Sequence, residues 1–162
     1  MRTISVAAIL AALSLRALAA DLTPGDFRAL LAERDATTVV QSLDEASWNA
    51  FLAHVESGDR GWIDLVPLLA AGTDAGTSES LVITLSRALR ANPQGVLTIL
   101  ATGGYAANDI CADNEIEIST LDAVRFIDEA LVKVAAVLDP ALSEARNACL
   151  YALSDARIAA LI

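Results

Sequence analysis

The stretch Asn92-Pro93-Gln94-Gly95-Val96-Leu97-Thr98-Ile99-Leu100-Ala101-Thr102-Gly103-Gly104 is a helix written with both of its ends. Asn offers a side-chain oxygen to cap the first free N–H groups, and Pro suits the first helical position because its missing N–H would go unpaired there anyway. Val96, Leu97 and Leu100 return to one face, and two glycines then stop the helix. The same cap-plus-Pro start recurs at Thr23-Pro24-Gly25-Asp26, where Asp stands at the capping-box position, and at Asp139-Pro140. The three starts are unequally spaced, which argues against a regular solenoid.

Working outward, helical spacing repeats through most of the chain. Phe27, Leu30 and Leu31 share a face after the first start. Trp48, Phe51, Leu52 and Val55 predict a helix over 45–56 that Gly58 ends. Trp62, Leu65, Val66 and Leu69 predict another after Asp59, which Pro67 must kink or divide. The loop 72–76 leads to a helix capped by Thr77 or Ser78 and running to about Ala91, with Leu81, Leu85, Ala88 and Leu89 inward. Val124, Ile127, Leu131, Val134 and Leu138 alternate steps of three and four, a coiled-coil-like seam. In the last helix Leu142, Ala145, Cys149, Ala152 and Ala156 form a small-residue stripe, with Leu150, Leu153 and Leu161 beside it. Between Gly103 and Ser119 the period fails, and Ile116-Glu117-Ile118 reads as a very short extended piece. The expected fold is all-α: a compact bundle, or else an irregular array, of about seven helices.

Composition agrees. Of 162 residues 55% are hydrophobic but only 4% aromatic, with Ala and Leu, both strong helix formers, dominant. This excludes a disordered or collagen-like chain and argues against a β-sandwich. The length suits a single domain.

The amino end reads as an export signal. Met1-Arg2 is charged, 4–15 is apolar except for Ser5 and Ser14, and Ala17-Leu18-Ala19 has the small residues a signal peptidase reads. The apolar run is shorter than the roughly 20 residues a membrane span needs. Residues 1–19 are therefore expected to be a signal peptide and 20–162 one helical domain, periplasmic or secreted. Removing Arg2 and Arg16 leaves 9 Lys+Arg against 21 Asp+Glu, a balance of −12. Such a surface repels phosphate backbones and anionic lipid, so nucleic acid and anionic membrane surfaces are poor partners; a basic protein of the cell envelope or a cation fits, and a soluble acidic surface with no specific partner is the simpler reading. In an exported chain the two cysteines, Cys111 and Cys149, are expected to pair.

Catalytic motifs do not surface. The one His, His54, stands between Leu52 and Val55 and reads as a surface or half-buried residue. Zinc spacing, a nucleophile elbow, a P-loop and a dinucleotide fingerprint are all missing from the sequence, and no cofactor is implied. The acidic run Asp109, Asp113, Glu115 and Glu117 is the best cation candidate. It breaks the EF-hand pattern: Ile118 occupies the turn-glycine position and Val124 that of the bidentate acid. A solvated acidic loop is the simpler reading. Trp48 and Trp62 read as core residues, and Tyr105, beside Gly103-Gly104, as an exposed contact residue. Tyr105, Asp109, Asp113, Glu115 and Glu117 are thus the candidate binding residues.

Gly61-Trp62, the run Gly72-Thr73-Asp74-Ala75-Gly76-Thr77-Ser78-Glu79, Asn92-Pro93 and Cys111 together resemble small secreted proteins of Gram-negative bacteria that carry no assigned activity. That resemblance implies a periplasmic address and no catalytic residue. Gly104-Tyr105 and Ile110-Cys111 followed by a helix are similar to the Rap1a/Tai-type periplasmic immunity proteins. The leading expectation is a protein-binding module. A hydrolase built from scattered carboxylates and a structural or stress-related envelope protein are the alternatives.

Overall fold

A computed structural model describes residues 22–112, 114 and 118–162. The expected signal peptide, Asp113, Glu115, Glu117 and most of the expected extended piece lie outside the described residues.

The described chain is helical throughout, without a strand: α1 Pro24–Glu33, α2 Ala36–Ser42, α3 Glu45–Glu56, α4 Arg60–Ile63, α5 Val66–Ala70, α6 Ala75–Ala88, α7 Pro93–Ala101, α8 Ala107–Ile110, α9 Thr120–Ala135 and α10 Ser143–Ala160. Side chains that cap backbone N–H groups set most of the starts. Thr23 and Asp26 complete a capping box at α1. Asp35, Asp44, Asp59 and Asp74 cap α2, α3, α4 and α6 by accepting from Thr38, Ser47, Gly61 and Thr77 at 2.8–2.9 Å. Asn92 caps α7, and Ser119 caps α9. These five carboxylates therefore have a structural use: they meet the positive ends of helices.

Several expectations need correction. Residues 36–42 form a helix that the sequence reading passed over. α6 begins at Ala75, because Asp74 rather than Thr77 or Ser78 is its cap. Pro67 does divide its segment, with Asp64 and Leu65 between α4 and α5. Asp139 caps a 3-10 turn, Pro140–Leu142, and the last helix starts after it at Ser143. The seam on α9 is rotated. Ala123, Phe126, Ile127, Ala130 and Val134 are buried, while Leu138 lies beyond the helix and is 81% exposed.

One continuous core joins the helices. At its amino-terminal end Phe27, Phe51 and Trp62 pack with ring centroids 5.4–5.8 Å apart, and Trp48 stacks on Phe51. Both tryptophans are thus packing residues. Leu81, Leu85, Leu89 and Leu97 are fully buried in the middle. α9 and α10 pair with each other: at their short connection Arg146 donates to the Val137 carbonyl at 2.8 Å, and from the last turn of α10 Arg157 donates to Asp128 of α9 at 2.6 Å. Arg90 from the end of α6 lies over the Phe126 ring at 4.2 Å and reaches Glu129 at 3.4 Å. Two glycines are required. Gly58 has φ +84° where α3 ends, and a Cβ on Gly72 would stand 2.3 Å from the Ala36 carbonyl carbon. No described helix is long and apolar enough to cross a membrane.

Candidate functional site

The disulfide builds the site. Cys111 and Cys149 are both fully buried and bonded, with Cα atoms 5.2 Å apart. Cys111 is the residue that ends α8, and Cys149 lies in the second turn of α10. The bond therefore fixes the segment after α7 against the face of α10 that carries Ala145 and Ala148. Gly103, with φ +76°, turns the chain out of α7 into that segment.

Between these elements opens a cleft of about 310 Å³. Leu100, Ala101 and Gly103 from the end of α7 form one wall, Tyr105 and Ala107 the second, and Ala141, Glu144, Ala145 and Ala148 the third. Glu144 is exposed and is the charged lining residue among the described residues. Tyr105 departs from expectation: it is half-buried, not exposed, and its hydroxyl is buried with no hydrogen-bond partner among the described residues. Burial pushes the phenol above its ordinary value of 10.0 by disfavouring the phenolate. An orphaned buried hydroxyl costs free energy.

Of the expected binding residues, Tyr105 lines the cleft, while Asp113, Glu115 and Glu117 lie outside the described residues. Asp109 is exposed on α8 and is not in its wall. Asn114 donates to the Asp109 carbonyl at 2.8 Å, which closes the turn after α8. Among the described residues no group of three or more His, Cys, Asp or Glu side chains is placed to hold a metal ion. His54 stands exposed on α3 with its ring stacked on Trp62, centroids 4.7 Å apart and planes 5° from parallel. Sequence reasoning missed Glu144, Ala141, Ala145 and Ala148. The signal was present in the cysteine pairing, since Ala145 precedes Cys149 by one helical turn and so comes to the segment that holds Cys111.

Comparison of the chain with protein-family models, with curated proteins and with solved structures gives no match.

Proposed function

We propose that this chain is an exported protein-binding module, periplasmic or secreted, whose cleft takes one anchoring side chain from a basic partner protein. The observation that carries this reading is the Tyr105 cleft. Its volume lies at the bottom of the range of small-molecule sites, about 300–1,000 Å³, and suits a single long side chain. A lysine or arginine fits its chemistry. The apolar stem would lie along Ala101, Ala107, Ala145 and Ala148, and the cationic head would meet Glu144. Anchors of this kind, set in pockets, carry a large share of interface energy. The acidic balance of the chain adds long-range attraction for such a partner. A fully buried disulfide supports the exported address, because such bonds persist in oxidising compartments.

Crosslinking in intact cells, followed by mass spectrometry, tests this reading. The expected result is one reproducible basic partner, captured by the natural chain and lost with Glu144→Lys while the circular dichroism spectrum stays unchanged. Capture of nothing, or equal capture by the variant, overturns it.

A further inference from the structure

The outer face of α9 carries a pattern that is complementary to its own reverse, apolar at both ends and opposite in charge at the two middle positions. Leu121, Arg125, Asp128 and Val132 follow one another at steps of four, three and four. At 100° per residue they fall within about 60° of arc, opposite the buried Ala123, Ile127, Ala130 and Val134. Leu121 is 78% and Val132 70% exposed, and with Val124 they floor a shallow groove flanked by Arg125, Asp128 and Lys133. Exposed apolar side chains grouped along one helix mark an interaction surface.

We propose that this face pairs with itself, α9 against α9 of a second copy, antiparallel about a two-fold axis that passes beside Phe126 and Ile127. In that register Leu121 of one chain meets Val132 of the other, and Arg125 meets Asp128; the two-fold repeats both layers. The flank agrees as well, since Lys133 of one chain comes beside Asp122 of the other. Such isologous contacts require a self-complementary patch, and the sequence of this face is one. The internal pairs do not use up the charges. Arg125 holds Asp122 at 2.9 Å and Asp128 holds Arg157 at 2.6 Å, yet the Arg125 and Asp128 side chains remain 70% and 47% exposed. Two apolar and two charged layers make a contact smaller than the standard interface of about 1,600 Å², so the dimer dissociates on dilution. It uses none of the residues that line the Tyr105 cleft.

Sedimentation equilibrium of the purified chain over a wide concentration range gives the first test: a monomer–dimer equilibrium is expected, and a monomer throughout overturns the proposal. The second test uses Arg125→Asp and Asp128→Arg as separate chains. Each alone sets like charges against like across the axis and is expected to be monomeric. Mixed one to one, they restore both opposite-charge layers and the dimer returns. Circular dichroism confirms that each variant is folded. A mixture no more associated than its components overturns the antiparallel register.

Discussion

Replacing Cys111 and Cys149 together by alanine removes a link between positions 38 residues apart. In the chain-entropy account, closing a loop of about 39 residues restricts the unfolded chain by roughly 4 kcal/mol at 25 °C. Both sulfurs are fully buried, so the lost packing adds to this figure. With a urea m-value of about 2 kcal/mol per molar, that stability corresponds to a midpoint lowered by about 2 M. The assay is urea unfolding of both proteins followed by far-UV circular dichroism, with free energies compared because m itself responds to a looser unfolded state. A loss under about 1 kcal/mol would refute the reasoning: the link would then constrain the unfolded chain far less than its span demands. Near-UV spectra of the same variant add a local readout. Tyr105 lies on the tied segment, so its signal is expected to weaken before the Trp62 core responds.

Tyr105→Phe is expected to leave stability unchanged or raise it by up to about 1 kcal/mol, because it deletes a buried hydroxyl that has no partner; a comparable loss in thermal unfolding would show that the hydroxyl is bonded. Asn92→Ala removes both the α7 cap and the 2.9 Å bond from the Asn92 amide to the Gly58 carbonyl, and chemical denaturation is expected to show a loss of about 1–2 kcal/mol. Gly72→Ala drives a Cβ into the backbone of Ala36, so the melting temperature is expected to fall clearly, whereas Gly76→Ala, which meets no atom closer than 3.9 Å, leaves it nearly unchanged. Acid titration tests the caps. Hydrogen bonds from Thr23 hold the Asp26 carboxyl below its usual 3.8, and those from Thr38, Ser47 and Thr77 do the same for Asp35, Asp44 and Asp74. A depressed native value means that the unfolded chain binds protons more readily. Stability is then fully present above about pH 5 and is lost as pH falls below about 4 through the native values; a midpoint that does not move between pH 5 and pH 3 would contradict this.

Local physics made the starts of the helices legible. An Asp, Asn or Thr beside the first turn bonds backbone only two or three residues away, so Asn92-Pro93 and Thr23-Pro24 announce themselves without tertiary information. α2 escaped because Ala36–Ser42 holds two adjacent apolar residues, Val39 and Val40, next to β-branched Thr37 and Thr38, and shows no period. On α9 two apolar registers compete. The structure takes the one with Phe126, because Arg90 covers that ring and Ala123 and Ala130 let neighbouring helices approach closely. The cleft was legible only in Tyr105. Its walls come from three separate segments, and the disulfide that assembles them acts across 38 residues.

The claim that this chain works by contact at the Tyr105 cleft is tested most directly by a photoreactive amino acid placed at Ala141, on the cleft wall, and irradiated in living cells. The account predicts one discrete adduct with a basic protein, and none from the same group at exposed Ala32 on α1. No adduct at Ala141, or the same products from both positions, would contradict it.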